Sequence, residues 1–594
     1  MLVGLALRRG HRRDVLHGIL ALALCAGLAP TRADTPLKQP EEATGRQAKP
    51  GWQYHREAVA AANPLAAEAG ERILRAGGSA IDAAVAVQMV LGLVEPQSSG
   101  IGGGAFMMTW DGRKAQAWDG RETAPAGARP DQFMQGGQPM SMAQAVPGGL
   151  SVGTPGVLAM LAEVHREQGH LPWARLFEPA IELADKGFAI SPRLAGLLQY
   201  PRHLGRDKQA AAYFLDSDGK PWPVGHVLRN PAYAAVLRRI AKEGPQAFYR
   251  GTIAADIAAR VKNAAQAGSL SETDLAGYHA IEREPLCAEW RRYRLCGVPP
   301  PSSGFIAIAQ ILTLLGADPA PLSVPLLHRF AEASRLAFAD RALYVGDPDF
   351  VPAPAGDWHS LLDPAYLRER AALIGERAMP TATAGVPRGA QVAFAMQADQ
   401  IEHGTSHISI VDREGRAVAL TTSVEGAFGS GLMSDGDTGL PGGFLLNNQL
   451  TDFSFRPTGA DGKPVANRVE PGKRPRSSMA PILVFEADSG RLVMSLGAPG
   501  GSFIISFVAK TLMGTLAWGM DAQRAIDLPN FGSVGGPILL ERGGFEAATA
   551  AALEALGHRV IQADLPSGLQ AIERQKEGWF GAADPRREGV VRGD

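Results

Sequence analysis

The spacing of hydrophobic residues changes along the chain and divides it into helical and extended blocks. Residues 155–260 and 305–345 carry apolar side chains at helical spacing, which predicts helices, and residues 358–377 are read as a further helix. Residues 284–298 and 406–423 carry the pattern of strands. Strands grouped between helical blocks favour an α/β protein built from packed layers.

Local signals predict where several elements begin. Asn63 and Pro64 are typical of a helix N-cap and the first helical position. Ser79 followed by Asp82 resembles a capping box that opens a second, alanine-rich helix. Residues 105–118 are predicted to form a β-hairpin.

A second predicted hairpin presents two hydroxyl groups side by side. Its first strand follows Gly404 and Thr405, and its second strand ends at Ser423. The register places Thr405 opposite Thr422 or, with a one-residue bulge, opposite Ser423. In either case a hydroxyl is expected beside Thr405.

Thr405 is the residue whose position carries the most chemistry. Attack of its hydroxyl on the carbonyl of Gly404 would break the chain and create a new N-terminal threonine. Such a threonine holds nucleophile and base together, because its α-amine has a pKa of roughly 7.7–8 and can take the hydroxyl proton. A Gly-Thr pair that enters a strand is usually structural, so the surrounding motifs decide the interpretation.

From about residue 58 to residue 586 the order of motifs resembles the γ-glutamyltranspeptidase family, also called glutathione hydrolases, among the N-terminal-nucleophile hydrolases. The motifs are NPLA at 63–66, GGSAIDAA at 77–84, SSGIGGG at 98–104, RETAP at 121–125, PPPSSG at 299–304, LLNNQ at 445–449 with Asp452, RPRSSM at 474–479 and GAPGGS at 497–502. The resemblance implies an α/β fold, a four-layer αββα sandwich that remains one two-chain unit after self-cleavage. The implied chains are a large subunit, residues 34–404, and a small catalytic subunit, residues 405–594.

The resemblance also implies which residues are catalytic. Thr405 corresponds to the nucleophile, and Ser423 supplies a hydroxyl beside it. Gly500 and Gly501 match the oxyanion hole, where glycines let two backbone N–H groups converge on the developing negative charge.

A second set of residues matches the family's substrate pocket. Arg121, Ser477 and Ser478 correspond to groups that hold the substrate α-carboxylate, for which an arginine fork is suited. Gln449 and Asp452 correspond to groups that bind the α-ammonium.

Three features depart from the best-known members. Ser423 stands where many have threonine, and its hydroxyl is expected to serve the same role. Glu425 stands where many have asparagine. It lies two residues beyond Ser423 and is expected to share its face and to favour the α-ammonium. The loop 453–476 lacks a distal tyrosine or tryptophan, so the pocket lid is expected to be shorter or more polar.

The implied activity is the opening of γ-glutamyl amides such as glutathione. A γ-glutamyl ester of Thr405 would be resolved by water or by an amino acid or dipeptide acceptor. One alternative keeps the scaffold and changes the substrate, as in a cephalosporin (glutaryl) acylase or a poly-γ-glutamate hydrolase. Another alternative is an unprocessed, inactive binding protein, against which the intact Thr405 and glycine pair argue.

Charge and motif context exclude other classes. The 594 residues carry a formal net charge of −1, which gives no basis for binding nucleic acid or an acidic membrane. Residues 100–105 formally match a dinucleotide fingerprint, but a helix is predicted before them and a strand after them, which favours a tight turn. The histidines lack metal-site spacing, and no cofactor or metal is expected.

The N-terminus has the pattern of a secretory signal peptide. Arginines at 8–13 precede an apolar run at 15–28 and a small residue at Ala33, which predicts a signal over residues 1–33 and a periplasmic or secreted protein. The apolar run is shorter than the roughly 20 residues that span a bilayer. An uncleaved anchor is the alternative, and no membrane association is expected after cleavage.

Cys287 and Cys296 are the cysteines that would remain after processing. A two-residue turn at Arg291-Arg292 would place them at facing, non-hydrogen-bonded positions of a hairpin. Such positions permit a disulfide in an oxidising compartment. Two buried free thiols remain the alternative, because Arg-Arg is poor turn chemistry.

Overall fold

The computed structural model describes residues 43–594 apart from 200–202, 317–319, 399, 401 and 403, so the predicted signal peptide lies outside the described residues. The strands are β1 (Trp52–Tyr54), β2 (Ala58–Ala61), β3 (Gly104–Trp110), β4 (Ala115–Gly120), β5 (Met134–Gln135), β6 (Gln138–Pro139), β7 (Phe188–Ala189), β8 (Val227–Leu228), β9 (Ile281–Arg283), β10 (Leu286–Trp290), β11 (Tyr293–Gly297), β12 (Ser406–Val411), β13 (Ala417–Ser423), β14 (Met433–Ser434), β15 (Phe444–Leu445), β16 (Ile482–Glu486), β17 (Leu492–Gly497), β18 (Phe531–Gly532), β19 (Ile538–Glu541), β20 (Val560–Ala563), β21 (Gln570–Arg574), β22 (Trp579–Ala583) and β23 (Val590–Gly593).

Two seven-stranded antiparallel sheets carry most of these strands. The first has the order β1-β22-β21-β17-β16-β11-β10, and the second has the order β23-β2-β12-β13-β3-β4-β9. The sheets pack against each other, with β12 and β13 of the second sheet lying on β17 of the first. Both sheets therefore combine strands from before and after Thr405.

Helices cover these sheets. They are α1 (Pro64–Arg75), α2 (Ala80–Val94), α3 (Met142–Ala145), α4 (Val157–Gln168), α5 (Glu178–Lys186), α6 (Pro192–Leu197), α7 (Lys208–Phe214), α8 (Pro231–Glu243), α9 (Gln246–Tyr249), α10 (Thr252–Asn263), α11 (Glu272–Ala276), α12 (Gly304–Leu314), α13 (Val324–Tyr344), α14 (Pro364–Ala371), α15 (Ile504–Leu512), α16 (Ala522–Asp527) and α17 (Ala547–Ala555). None of the described helices is long and apolar enough to cross a membrane.

The predicted helix starts are confirmed. Asn63 accepts a hydrogen bond from the Leu65 N–H at the start of α1, and Ser79 forms a reciprocal capping box with Asp82 at the start of α2. The single helix predicted over 358–377 is wrong, because α14 begins only at Pro364. The residue before a proline avoids the helical region, and a separate 3-10 turn precedes it.

Alternation along the strands separates two hydrophobic clusters. Ile408 and Leu420 belong to a cluster between the second sheet and the helices around α1 and α2. Ala419 and Leu496 belong to a cluster that fills the space between the sheets and extends to α12, α13 and α15. His407 precedes Ile408 on β12, so its side chain is on the opposite face of the strand and points into the space between the sheets.

The hairpin that presents Thr405 has the second of its two predicted registers. Ser406 pairs with Thr422, so the preceding Thr405 lies next to Ser423. The register follows from the turn, where the Asp412 N–H donates to the Arg416 carbonyl and Gly415 has φ 76°. A three-residue loop with glycine in the left-handed region is a common hairpin connection.

The glycine run before β3 is a close-packed turn, as predicted. A Cβ atom on Gly102 would lie 2.1 Å from the Leu445 carbonyl oxygen, and one on Gly103 would lie 2.1 Å from that of Ser423. Only glycine permits this approach. The turn therefore holds the end of β13, and with it Ser423, in place.

The predicted cysteine hairpin is confirmed. Cys287 faces Cys296 on β10 and β11, and the two are joined by a disulfide with Cα atoms 4.1 Å apart. Arg291 takes a φ of 60° in the two-residue turn, so the unfavourable turn residues do not prevent the pairing.

Candidate active site

Thr405 is buried immediately before β12, beside a hydroxyl that contacts the preceding peptide bond. The Ser423 hydroxyl donates to the Gly404 carbonyl oxygen at 2.6 Å and accepts from the Glu425 N–H at 2.8 Å. A donor on this carbonyl stabilises the negative charge that would develop if the Thr405 hydroxyl attacked it. The hairpin thus places a hydroxyl donor on the carbonyl of the Gly404-Thr405 peptide bond.

A buried polar chain supports the strand below Thr405. His407 lies 2.9 Å from the Thr421 hydroxyl through Nδ1 and 3.0 Å from the Ser409 hydroxyl through Nε2. Burial lowers the pKa of His407 to about 3, so the ring is neutral. A Cβ atom on Gly497 would lie 2.4 Å from the ring, so β17 passes directly against it.

The predicted oxyanion loop leaves the sheet at this point. Gly500 and Gly501 follow β17 with φ values of 130° and 55°, which side chains rarely permit. Their N–H groups make no backbone hydrogen bond among the described residues. The two glycines begin a short turn that leads into α15. Their adjacent N–H groups therefore lie just after the end of β17.

Asp452 and Gln449 form one pair of acceptors on a short 3-10 turn. Gln449 Nε2 donates to Asp452 Oδ2 at 2.8 Å, and Arg121 Nη2 donates to the same oxygen at 2.5 Å. Asp452 Oδ1 and Gln449 Oε1 are buried and accept no hydrogen bond from the residues that the structure describes. Buried acceptors without donors are costly, so these two oxygens mark a place for a ligand donor.

Burial has the largest effect on the pKa values of two carboxyl groups at this site, Asp452 and Glu122. It raises the pKa of Asp452 to about 8, against the attraction of Arg121 and with the repulsion of Glu425 and Glu402. It also raises the pKa of Glu122 to about 8, although Arg121 Nη1 lies 3.9 Å away. A cation placed beside Asp452 would restore the charged form of that carboxylate.

Glu425 lies beside this cluster for a different reason from the one predicted. Strand β13 ends at Ser423, and Glu425 has a φ of 76°, so strand alternation does not set its direction. Asn448 Nδ2 donates to Glu425 Oε2 at 2.6 Å and holds the carboxylate. Strand alternation, from which Glu425 was expected to share the face of Ser423, therefore does not orient it, while Glu425 lies near Asp452 as expected.

Arg121 is buried and largely engaged by the protein itself. Besides Asp452, it donates from Nε to the Pro475 carbonyl at 3.1 Å and from Nη2 to the Arg476 carbonyl at 2.9 Å. These bonds fix the chain just before Ser477 and Ser478. Arg121 thus connects the acceptor pair with the predicted serine pair.

The two serines differ in what they contact. The Ser477 hydroxyl accepts from the Met479 N–H at 3.1 Å. The Ser478 hydroxyl accepts from Arg341 Nη2 at 2.9 Å, and Arg341 also contacts Glu402. Arg341 lies on α13, outside the sequence motifs that indicate the site.

The loop 453–476 packs one of its aromatic side chains into a small separate core. Phe455 stacks on Phe133 with ring centroids 4.7 Å apart, within a small separate core. Val465 forms a bridge with Ala395, in the segment that precedes Thr405. The loop is therefore held by the part of the chain upstream of the Gly404-Thr405 bond.

The profile of the Gamma-glutamyltranspeptidase family matches residues 66–593. The chain belongs to this family. The family resemblance read from the motifs is thereby confirmed.

The proteins to which this chain is similar have two kinds of name. The glutathione hydrolase proenzyme of Bacillus subtilis (strain 168) is 36% identical over 602 residues. The alignment covers 97% of this chain and 98% of that protein. The acylase ACY 1 proenzyme of Pseudomonas sp. (strain V22) is 34% identical over 543 residues, covering 89% and 92%. The crystal structure of cephalosporin acylase from Bacillus halodurans aligns with a TM-score of 0.80 at 27% identity, covering 94% and 99%.

Proposed function

We propose that this protein is a self-processing γ-glutamyltransferase and hydrolase that opens γ-glutamyl amides such as glutathione. Its family and its similarity to glutathione hydrolase proenzymes support the reaction. Water or an amino acid or dipeptide would accept the γ-glutamyl group. The roles of individual residues follow from their positions in the site.

Self-cleavage would begin at Thr405. Its hydroxyl attacks the Gly404 carbonyl, and the Ser423 hydroxyl, 2.6 Å from that oxygen, stabilises the negative charge. Collapse with loss of the amide nitrogen gives an ester, which water hydrolyses. The products are a carboxylate at Gly404 and a free α-amine on Thr405.

Turnover would reuse the same hydroxyl. The α-amine of Thr405 takes the hydroxyl proton while the oxygen attacks the γ-carbonyl of the donor. The N–H groups of Gly500 and Gly501 receive the oxyanion, and the leaving amine departs with a proton. Water or an acceptor amine then releases the γ-glutamyl group from the Thr405 ester.

The two acceptors that lack hydrogen bonds among the described residues favour a substrate with an α-ammonium group. Asp452 Oδ1 and Gln449 Oε1 lack donors among the described residues, and an α-ammonium supplies N–H groups and a positive charge. Glu425 adds a second carboxylate nearby. A glutaryl group has no ammonium and would leave these acceptors unpaired.

A direct comparison of two donors tests the proposal. γ-Glutamyl p-nitroanilide and glutaryl p-nitroanilide differ only in the α-ammonium, and release of nitroaniline is measured by absorbance. We expect kcat/KM for the γ-glutamyl donor to be higher by at least tenfold. Equal or reversed efficiencies would contradict the proposed substrate.

A glutaryl or cephalosporin acylase is the second candidate. It is supported by the similarity to the acylase ACY 1 proenzyme and to the cephalosporin acylase structure. A glutaryl substrate has the same carboxylate as a γ-glutamyl donor and lacks the α-ammonium. The same pair of anilides therefore distinguishes the two candidates.

The proposal extends to architecture and location. Layers of helices outside the two packed sheets support the four-layer αββα sandwich. Because each sheet mixes strands from 34–404 and 405–594, the two products of cleavage would stay together as large and small subunits. Residues 1–33 are proposed to direct export to the periplasm or the exterior.

A further inference from the structure

Glu95 and Ser406 form a buried contact on the side of β12 that faces the helices. Ser406 directly follows Thr405, and alternation along the strand directs its side chain towards the helical layer, whereas His407 faces the other sheet. Glu95 directly follows α2, a helix that packs on β12 from the helical side. The Ser406 hydroxyl donates to Glu95 Oε2 at 3.0 Å. Glu95 therefore holds the residue next to Thr405 from the helical layer.

An ion pair holds Glu95 itself. Arg193 Nη1 lies 3.7 Å from Glu95 Oε1, and both side chains are almost completely buried. The Arg193 N–H donates to Glu588 Oε1 at 2.9 Å, which ties the beginning of α6 to the segment before β23. A hydrogen bond to an ionised acceptor is roughly twice as strong as a neutral one. The Glu95 carboxylate is thus a fixed and strong acceptor for Ser406.

The turn that begins at Glu95 also holds the second strand of the hairpin. The Glu95 carbonyl accepts from the Ser98 N–H at 2.9 Å. The Ser98 carbonyl accepts from the Val424 N–H at 3.2 Å, directly after Ser423. This turn therefore contacts the residue after Thr405 through a side chain and the residue after Ser423 through the backbone. One short segment thus fixes both ends of the hairpin that presents the two hydroxyl groups.

Cleavage would remove the upstream constraint on Thr405. In the uncleaved chain Thr405 is bonded to Gly404, whose carbonyl accepts from the Ser423 hydroxyl at 2.6 Å. The proposed cleavage makes Thr405 a chain end, and chain ends are poorly ordered unless they are tied down. Ser406 is the first residue of β12, and its hydroxyl bond to Glu95 is a tie one residue from the new terminus.

We propose that Glu95 is a positioning residue for the Thr405 nucleophile and acts through the Ser406 hydroxyl. The inference rests on the proposed function, because it requires that a free Thr405 carries the acyl group. Misplacement of a reacting group by about 1 Å can cost roughly a hundredfold in rate. Loss of the contact should therefore slow the chemical step and leave donor binding intact. Because the same nucleophile attacks every donor, the loss should not depend on the acyl group.

Ser406→Ala tests the contact and leaves the buried ion pair in place. In the cleaved enzyme we expect kcat for γ-glutamyl p-nitroanilide to fall roughly tenfold to a hundredfold, with KM within about threefold of the wild-type value. Ser406→Thr keeps the hydroxyl and should retain kcat within about threefold. Thr422→Val removes the hydroxyl of the residue that pairs with Ser406 and should also retain kcat, as the matched control. An unchanged kcat in Ser406→Ala, or a loss confined to KM, would overturn the proposal.

A double-mutant cycle tests whether Glu95 acts through Ser406. Glu95→Ala should lower kcat, and the variant that combines it with Ser406→Ala should lose no more than the larger of the two single losses. If Glu95→Ala does not fold, Glu95→Gln takes its place in the cycle, because it keeps the shape of the side chain and removes the charge. Single losses that multiply in the double variant would contradict a path through Ser406.

The choice of acyl group separates this inference from the proposed function. Each variant should lose the same factor with glutaryl p-nitroanilide as with γ-glutamyl p-nitroanilide, because Thr405 attacks both. A wild-type enzyme that used only the glutaryl donor would refute the proposed substrate, while the losses measured with that donor would still judge Glu95. Losses that differed between the two donors by more than about threefold would indicate a role in donor recognition and refute the positioning role.

Discussion

Replacement of Ser423 by alanine tests the chemistry of self-cleavage at one atom. In the structure its hydroxyl donates to the Gly404 carbonyl at 2.6 Å in a fully buried setting. Loss of a comparable oxyanion donor costs about 2.7–4 kcal/mol, or about a hundredfold to a thousandfold in rate. Ser423→Ala should therefore remain a single chain under conditions in which the wild-type protein is cleaved.

Conversion is followed by intact mass spectrometry at timed intervals after purification of the uncleaved chain. Ser423→Thr keeps the hydroxyl and should process within about tenfold of the wild-type rate. Thr422→Val is the matched control, since the neighbouring hydroxyl donates to the Gly104 carbonyl at 3.3 Å, away from the cleaved bond. Wild-type processing of Ser423→Ala, or equally slow processing of Thr422→Val, would refute the assigned role.

Four further outcomes follow from the site and its surroundings. Asp452→Asn should lower kcat/KM for γ-glutamyl p-nitroanilide at least tenfold and change glutaryl p-nitroanilide much less; equal losses would exclude Asp452 from ammonium binding. Arg121→Lys should raise KM for the γ-glutamyl donor with processing intact, because a point charge cannot keep the contacts to Asp452 and two carbonyls; an unchanged KM would remove Arg121 from the site. His407 stays neutral down to a pKa of about 3, whereas an unfolded histidine is protonated below its ordinary value of 6.5. His407 should therefore lower the free energy of unfolding by about 1.4 kcal/mol for each pH unit between that value and its folded pKa of about 3, and His407→Gln should lessen the overall slope in chemical denaturation; identical slopes would contradict the neutral buried ring. Cys287 and Cys296 should resist maleimide in denaturant until reductant is added, and labelling of both without reductant would contradict the disulfide.

Local signals in the sequence were sufficient wherever neighbouring residues determine the geometry. The caps at Asn63 and Ser79 and the cysteine hairpin depend on contacts within a few positions, and the structure has each of them. Two registers beside Thr405 were compatible with the sequence, and the length of the turn decides between them. Strand periodicity could not decide between these choices.

The parts that sequence reasoning missed depend on long-range packing. Arg341 lies on a long helix, and nothing near it in the sequence indicates that it meets Ser478. Glu402 is close to Thr405 in sequence, but its burial against Arg341 comes from tertiary folding. Strand alternation does not determine the direction of Glu425, because the strand ends two residues earlier and the backbone turns to positive φ.

The central claim is that Thr405 frees itself as an N-terminal nucleophile and then carries the γ-glutamyl group. Rapid acid quenching of the purified enzyme during turnover of a γ-glutamyl donor, followed by intact mass spectrometry and peptide mapping, measures this directly. We expect a chain that begins at Thr405, heavier by one glutamyl group that maps to Thr405. An active protein that remains one chain, or an adduct on any other residue, would contradict the account.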